Sequence, residues 1–347
     1  MKIYFGEEIV IDILDAVKKA NKIVIVTHTN PDGDAIGSVT ALGNYLSCIG
    51  KENTIIIPDR YPEYLSFLDP TNEIHINDEN PQKARDIISE ADLIFALDFN
   101  QLRRTESLEM PIKSTKAIKI LIDHHPDPES EAFDFVVSST EVSSACELLY
   151  WIIKKMNHHL KVLMPVAVAN SLYVGMMTDT NNFSNSVSGS TFKMAGEILD
   201  SGVDKEIIQL KVFGGFSQNR MRLLGHALLN KMTILKELGA GYIILTKSEL
   251  EQFGFSEGDT EGFVNMPLNI SGITISALFS EKEDQIRVSL RSSDDFSVNK
   301  FARKFFNGAG HERAAGGKLF IPVGDVPQYF EKSLKTMLNK QKRAQDL

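Results

Sequence analysis

Three short apolar runs in the first 125 residues end in aspartate or histidine, and this repeated pattern constrains the fold most. The runs are KIVIVTH (22–28), DLIFALD (92–98) and IKILIDHH (118–125). They alternate with segments of helical spacing, and continuous apolar runs in such an alternation are typical of parallel strands buried on both faces. A further helix is predicted after Ser144, because Ser144-x-x-Glu147 has the spacing of a capping box. We therefore predict an α/β domain in which helices cover both faces of a parallel sheet.

The polar residues that end these runs are expected to meet in space. In an open α/β sheet, the carboxyl ends of the strands line the ligand-binding crevice. Asp32 and Asp34 follow the first run, and Asp179 follows a long apolar helix. One such aspartate is most often a helix cap, and Asp34 is placed to be one. Eight polar groups at one edge would nevertheless be costly to desolvate without a cation. The predicted cluster consists of His28, Asp32, Asp34, Asp98, Asp123, His124, His125 and Asp179.

The ligand types in this cluster indicate which metal it would hold. Carboxylate and imidazole groups without thiolate favour manganese, with zinc, iron, cobalt or magnesium as substitutes. A site for magnesium or calcium alone would use fewer histidines. The ligands outnumber what one ion requires, which predicts a centre with two ions. The two cysteines, Cys48 and Cys146, are isolated, so neither a zinc knuckle nor a disulfide framework is expected.

The pattern changes to short strands, a helix and a glycine-rich loop from about residue 229. We predict a first domain over 1–190, a helical linker over 191–228 and a smaller α/β domain over 229–340, with a cleft between the domains. The chain has a formal net charge of −9, which argues against binding of long nucleic acid. Residues 287–318 nevertheless contain seven basic and three acidic side chains. A small basic site on an acidic protein predicts a short anionic ligand.

The sequence also predicts a cytoplasmic protein that does not bind a membrane. The N-terminal segment MKIYFGEEIV has two glutamates where a secretion signal requires an uninterrupted apolar core. The longest apolar stretch, MPVAVANSLYVGMM, is too short to span a bilayer.

Together these residues carry a resemblance to a known family. The sequence resembles the DHH phosphoesterases, a family named for the triplet found here at 123–125. The other matching motifs are HTNPDGDAIGS (28–38), Asp98, and TDT (178–180). The segment NGAGHERAAGG (307–317) looks like the signature of the associated C-terminal domain. Size and domain content resemble the nano-RNase branch, which acts on short oligoribonucleotides and on 3′-phosphoadenosine-5′-phosphate.

The resemblance implies a role for each residue of the predicted cluster. One manganese ion would be held by His28, Asp32 and Asp98. A second would be held by Asp34, Asp98, His124 and Asp179, so that Asp98 bridges the two ions. Asp123 would orient a histidine or a metal-bound water. His125 would contact the phosphoryl oxygen or protonate the leaving 3′ oxygen, which makes it, with Asp98 and Asp123, a catalytic residue.

Arginine and glycine residues are the predicted substrate contacts. Arg287 and Arg291 lie four apart on a strand and therefore face the same way. For Arg287, a place on a solvated strand face is an equally good interpretation. The resemblance places Arg291 on a substrate phosphate, and Arg104 matches a family arginine that faces the cleft. The glycine-rich loop can bring backbone N–H groups close to an anion. Its predicted contacts are Gly308, Gly310, His311 and Gly316, with Ala309 standing where relatives usually have a glycine.

The resemblance therefore implies a manganese-dependent phosphodiesterase that trims oligoribonucleotides of a few nucleotides to 5′-mononucleotides and converts 3′-phosphoadenosine-5′-phosphate to AMP. Its expected partners are these substrates, without a membrane or long duplex nucleic acid. The alternatives are a phosphodiesterase for cyclic or linear diadenylate and a non-catalytic nucleotide-sensing module. A single-strand exonuclease of the RecJ type would need further nucleic-acid-binding domains, and a family pyrophosphatase would need a different C-terminal domain.

Overall fold

The computed structural model describes residues 5–214 and 216–345, with side chains as far as residue 339. Contacts divide the chain into two compact units, Met1–Gly215 and Phe216–Leu347. In the described part of the chain, no helix combines the length and apolar character that crossing a membrane requires.

The first unit contains a six-stranded sheet in which every pair of neighbours is parallel. The strand order is β3-β2-β1-β4-β5-β6. The strands are β1 (Ile23–Val26), β2 (Asn53–Ile57), β3 (His75–Ile76), β4 (Leu93–Leu97), β5 (Ile118–Asp123) and β6 (Phe135–Ser138). The three apolar runs form the adjacent strands β1, β4 and β5. Ile23 pairs with Leu93 and Leu93 with Ile118, so their carboxyl ends lie side by side.

Helices cover both faces of this sheet, as predicted. They are α1 (Glu7–Lys19), α2 (Gly33–Cys48), α3 (Pro81–Ser89), α4 (Glu109–Ser114), α5 (Ala145–Leu160), α6 (Val166–Asp179), α7 (Gly189–Asp200) and α8 (Lys205–Phe213). Successive strand side chains point to opposite faces. Ile25 and Phe95 belong to one hydrophobic core with residues of α1, α2, α5 and α6, whereas Val24 and Ile94 belong to another with residues of α3 and α4.

Helices α2 and α6 pack closely at two glycines. A Cβ atom at Gly37 would lie 2.7 Å from the carbonyl oxygen of Ser171. A Cβ atom at Gly175 would lie 2.2 Å from Sγ of Cys146 and 2.8 Å from Oδ1 of Asp34. Such distances are too short for real contacts, so only glycine allows α6 to approach Asp34 this closely.

Helix α5 begins where the serine–glutamate spacing predicts. The Ser144 side chain is the N-cap and accepts a hydrogen bond from the backbone N–H of Glu147 at 3.0 Å. Trp151, the single tryptophan of the chain, lies in the same helix and is buried. Its ring lies beneath the ammonium groups of Lys154 and Lys193, 5.2 and 5.9 Å from the ring centre.

The second unit contains a second six-stranded sheet, with the order β11-β12-β10-β9-β8-β7. Only β8 and β9 pair in parallel; the other pairs are antiparallel. The strands are β7 (Met232–Leu235), β8 (Ala240–Leu245), β9 (Ile275–Glu281), β10 (Ile286–Ser292), β11 (Ala309–Gly310) and β12 (Ala314–Leu319). The helices are α9 (Gln218–His226), α10 (Lys247–Gln252), α11 (Val298–Phe305) and α12 (Val326–Gln345).

The glycine-rich segment of this unit is partly strand. Ala309 pairs with Gly316, and Gly310 pairs with Ala315. A Cβ atom at Gly308 would lie 1.9 Å from the carbonyl oxygen of Gly316, and Gly310 has a φ of 155°. At Ala309 the φ is not positive and the side chain is exposed, so neither the backbone conformation nor a close neighbour requires glycine. Alanine therefore fits this position.

Candidate metal centre

Asp98 is the central residue of the cluster at the carboxyl ends of the strands. It follows β4 with a φ of 64°, in the left-handed region that aspartate enters more readily than most residues. Its Oδ2 lies 3.5 Å from Nε2 of His28, and its Oδ1 lies 3.4 Å from Nε2 of His124. The residue is only 2% exposed, and within the described residues Oδ1 accepts no hydrogen bond. A buried carboxylate oxygen that accepts no hydrogen bond is available to bind a cation.

The loop after β1 presents His28 and Asp32. Nδ1 of His28 is 2.8 Å from the carbonyl oxygen of Thr29, to which it donates. Nε2 faces Asp98 and is the ring nitrogen that a metal ion would bind. Oδ1 of Asp32 accepts hydrogen bonds from the N–H groups of Asp34 and Ala35, at 3.0 and 3.1 Å. Asp32 is thus the N-cap of α2, and the expectation that Asp34 is placed to cap this helix is wrong because Asp34 lies inside the first turn.

Asp34 is buried and held by the start of another helix. Its Oδ2 accepts from the N–H of Ala145 at 2.6 Å, and its Oδ1 accepts from the N–H of Cys146 at 3.0 Å. Nε2 of His124, which follows β5, lies 3.8 Å from Oδ2 of Asp34 and 3.6 Å from Oδ2 of Asp179. The Asp179 side chain is 28% exposed, so this side of the cluster is more open.

The pKa values in the cluster reflect several carboxylates close together. Burial and the charge of Asp98 raise the pKa of Asp34 well above its usual range. Burial also raises the pKa of Asp98, but the contacts with His124 and His28 outweigh burial and hold that pKa well below its usual range. For His124, burial is outweighed by Asp179 and Asp98, which raise its pKa to about 10. The cluster therefore favours added positive charge, which a divalent cation supplies when it displaces protons.

Asp123, His125 and Arg104 form a hydrogen-bonded series beside the cluster. Nη1 of Arg104 is 3.0 Å from Nε2 of His125, and Nδ1 of His125 is 2.7 Å from Oδ1 of Asp123. Because arginine can only donate, Nε2 of His125 accepts and Nδ1–H donates to Asp123. Burial raises the pKa of Asp123 to about 7. The carbonyl oxygen of Arg104 accepts from the N–H and hydroxyl of Thr29, which ties Arg104 to the loop after β1.

The geometry of these groups fits a divalent metal ion. Three groups of three residues that contain Asp98 offer ligand atoms within 4.8 Å of one another. They are His28, Asp32 and Asp98; Asp34, Asp98 and His124; and Asp98, Asp123 and His125. Atoms bound to one ion at about 2.1 Å would lie roughly 3 to 3.5 Å apart, which is close to the separations around Asp98. The carboxylate–imidazole donor set agrees with this assignment, as does Oδ1 of Asp98, which accepts no hydrogen bond within the described residues.

The predicted substrate residues of the second unit also lie near one another. Arg291 on β10 pairs with Ala314 on β12, and the N–H of His311 donates to the carbonyl oxygen of Ala314 at 2.7 Å. Gly308, Gly310 and Gly316 belong to the adjoining glycine-rich segment. Nη1 of Arg287 lies 2.7 Å from Oε1 of Glu257, in an exposed ion pair.

The first unit also contains groups near the metal cluster that the sequence interpretation missed. The backbone N–H groups of Ala145 and Cys146 hold Asp34, and Asp59 accepts two hydrogen bonds from the N–H of Asn30. The close approach of Gly175 was also missed. Backbone donors have no residue signature, and only the predicted helix start at Ser144 pointed to this region.

Comparisons with known proteins identify the family. Residues 22–176 match the DHH family, N-terminal domain, and residues 239–336 match the DHHA1 domain. A solved exopolyphosphatase-related protein from Bacteroides fragilis superposes with a TM-score of 0.91 at 35% identity, covering 97% of this chain and 98% of that one. The chain therefore belongs to the DHH family of phosphoesterases, as its motifs predict.

Two curated relatives carry a more specific name, bifunctional oligoribonuclease and PAP phosphatase NrnA. The one from Bacillus subtilis is 29% identical over 315 residues, covering 89% of this chain and 93% of the relative. The one from Thermus thermophilus is 28% identical over 338 residues, covering 97% and 94%.

Proposed function

We propose that this phosphoesterase uses two Mn²⁺ ions to hydrolyse short oligoribonucleotides to 5′-mononucleotides and 3′-phosphoadenosine-5′-phosphate to AMP. The observation that carries the proposal is that Asp98 belongs both to the ligand group with His28 and Asp32 and to the ligand group with Asp34 and His124. The relatives named as oligoribonucleases and PAP phosphatases support the choice of substrates.

In this proposal the ligands divide as the family resemblance implies. His28, Asp32 and Asp98 hold one ion, while Asp34, Asp98, His124 and Asp179 hold the other. When bound, a pair of ions lowers the pKa of a water and neutralises charge on the phosphoryl group. The protein contributes by fixing the ligands: the Thr29 carbonyl sets the tautomer of His28, and two α5 N–H groups set the position of Asp34.

Asp123, His125 and Arg104 act on the substrate in this proposal. Asp123 orients the imidazole of His125 through Nδ1, so that Nε2 faces Arg104. The guanidinium carries five N–H groups in a planar fork, and those not directed at His125 can donate to a phosphoryl oxygen. Movement of Arg104 onto the phosphate would expose Nε2 of His125 to the reacting group.

We further propose that the domain over 229–340 binds the terminal phosphate of the substrate, separated from the metal-binding domain over 1–190 by the linker at 191–228. Arg291 supplies charge and His311 supplies an imidazole, and the segment with Gly308, Gly310 and Gly316 allows the backbone to approach the phosphate closely. Holding the end of the substrate limits its length. Phosphoadenosine phosphate satisfies the same requirement, because it resembles a dinucleotide that ends just beyond its scissile phosphate.

The test is a substrate comparison with metal-stripped, full-length protein to which Mn²⁺ is returned. The substrates are RNAs from dinucleotides to long strands, phosphoadenosine phosphate, pyrophosphate, cyclic and linear diadenylate, and long DNA. We expect kcat/KM to be highest for the shortest RNAs and phosphoadenosine phosphate, with 5′-mononucleotides as products. A clear preference for any of the other substrates would refute the assignment, and tight binding of nucleotides without hydrolysis would favour the sensing module.

A further inference from the structure

We propose that Glu147 is a positioning residue of the metal centre, which fixes the start of α5 so that its backbone N–H groups hold Asp34. Glu147 is completely buried and belongs to none of the ligand or substrate groups described above. The inference rests on the proposed function in one respect, which is that Asp34 is a metal ligand.

The first step is the contact between α5 and Asp34. The N–H groups of Ala145 and Cys146, in the first turn of α5, each donate to a different oxygen of the Asp34 carboxylate. Two fixed donors determine both the position and the rotation of this carboxylate. Each oxygen keeps a further lone pair that can be directed at a cation. The orientation of Asp34 therefore depends on where α5 begins.

The second step is the way Glu147 holds that beginning. Its Oε2 accepts from the N–H of Ser143 at 2.9 Å and from the hydroxyl of Ser143 at 2.6 Å. Its own N–H donates to the Ser144 side chain at 3.0 Å. In an ordinary capping box the glutamate would return to the N-cap residue. Here it binds the residue before the N-cap, so it fixes the chain that enters the helix.

The third step links this helix start to α7. The hydroxyl of Thr191 donates to the same Oε2 of Glu147 at 2.9 Å and accepts from the N–H of Ser188 at 3.1 Å. One carboxylate oxygen thus connects α7 with the segment that enters α5. Displacement of either segment would move the N–H groups that hold Asp34.

A simple capping role does not account for the environment of Glu147. Glu249 performs that role for α10: its carboxylate accepts from the N–H of Thr246 at 2.9 Å, and Lys231 pairs with it at 2.8 Å. Glu147 has no such cation among the described ion pairs, and its Oε1 lacks a hydrogen-bond donor there. Burying a carboxylate without a cation beside it costs free energy, and a helix cap at the protein surface would avoid that cost.

Mn²⁺ affinity is the readout that separates positioning from simple stabilisation. Metal-stripped, full-length protein is titrated with Mn²⁺ by calorimetry, and thermal unfolding of each metal-free variant checks its fold. We expect Glu147→Ala to weaken Mn²⁺ binding by about 10- to 100-fold, as for other residues that orient metal ligands. Glu147→Gln keeps an acceptor oxygen for Ser143 and Thr191, and should recover most of that loss. Thr191→Val removes one of the three donors, and should cause a smaller loss.

Glu249→Ala is the matched control, because it removes the corresponding glutamate from a helix start outside the metal-binding unit. It should lower stability and leave Mn²⁺ affinity unchanged. Unchanged Mn²⁺ affinity in a folded Glu147→Ala variant overturns the inference, as does an equal loss in Glu249→Ala. If Glu147→Ala does not fold, unchanged affinity in Thr191→Val overturns it instead. Failure of the proposed function is distinguishable, because wild-type protein would then bind Mn²⁺ without hydrolysing dinucleotides or phosphoadenosine phosphate.

Discussion

Replacement of Gly175 by alanine should affect metal binding more than stability. The new Cβ atom would lie 2.2 Å from Sγ of Cys146 and 2.8 Å from Oδ1 of Asp34. Both contacts must lengthen. One is with Cys146 in the first turn of α5, and the other is with Asp34, which the N–H groups of that turn hold. Because the Asp34 carboxylate is held by two N–H groups, a shift of α5 or α6 changes its direction toward the cation.

The two effects on stability partly cancel. Alanine is favoured over glycine in a helix interior by about 1 kcal/mol. Overpacking a buried site typically costs about 1 to 3 kcal/mol. The free energy of unfolding should therefore fall by roughly 0 to 2 kcal/mol, while Mn²⁺ affinity falls by about 10-fold or more. Gly196 in α7 is the matched control: its Cβ would meet no heavy atom within 4 Å, so Gly196→Ala should stabilise the protein by up to about 1 kcal/mol.

Urea unfolding and Mn²⁺ titration of the metal-stripped proteins measure these effects separately. The double variant Gly175→Ala/Cys146→Ala removes the contact with Sγ but not the one with Asp34. It should regain stability without regaining Mn²⁺ affinity. Unchanged Mn²⁺ affinity in Gly175→Ala, together with a gain in stability like that of Gly196→Ala, would refute the close-packing argument.

Four further results are expected. Asp98→Asn retains the side-chain shape and the tolerance for positive φ, but it removes the carboxylate charge that both proposed ions share. Initial rates of hydrolysis of short RNA and of phosphoadenosine phosphate should therefore fall together by more than about 100-fold. His311→Ala should raise the KM for a dinucleotide by about 10- to 100-fold, the value of one charge-assisted hydrogen bond, while calorimetric Mn²⁺ affinity stays unchanged. Lys231 and the Thr246 N–H outweigh burial and lower the pKa of Glu249 from 4.5 to about 2. The stabilisation from this group is therefore present above pH 4.5 and is lost as the pH falls toward 2. In acid-unfolding curves, Glu249→Gln should reduce the change in the free energy of unfolding over this pH range by about 1 kcal/mol. When free Mn²⁺ is first held at 100 times its Kd, removing it should lower the free energy of unfolding by about 2.7 kcal/mol. Calorimetric scans should then show the Tm of the first unit fall by roughly 5 to 10 °C.

The sequence is most informative where a buried apolar run ends in a residue that can bind a metal ion. The apolar runs before His28, Asp98 and Asp123 predict neighbouring parallel strands, and the polar residues at their ends consequently meet. Two strands of the same sheet are harder to recognise: β3 has two residues, and β6 is short and half-buried. Neither has enough apolar periodicity to be distinguished from a loop.

Other features of the site depend on tertiary contacts that residue types do not encode. Asp32 and Asp34 are both reasonable caps by type, and only the helix start at Gly33 decides between them. The N–H groups that hold Asp34 come from positions 145 and 146, more than a hundred residues later in the chain. The contact between His125 and Arg104 joins residues 21 positions apart in the segments after β5 and β4, and no residue pattern predicts it.

Trp151 gives this protein an internal optical probe. It is the only tryptophan, so selective excitation of indole fluorescence reports on the first unit, while changes confined to the second unit need not alter the signal. The ring lies in the helix whose opening turn contacts Asp34, beside the ammonium groups of Lys154 and Lys193. Stopped-flow mixing with Mn²⁺ can therefore test in real time whether ion binding alters the surroundings of this helix, without a dye or an introduced label.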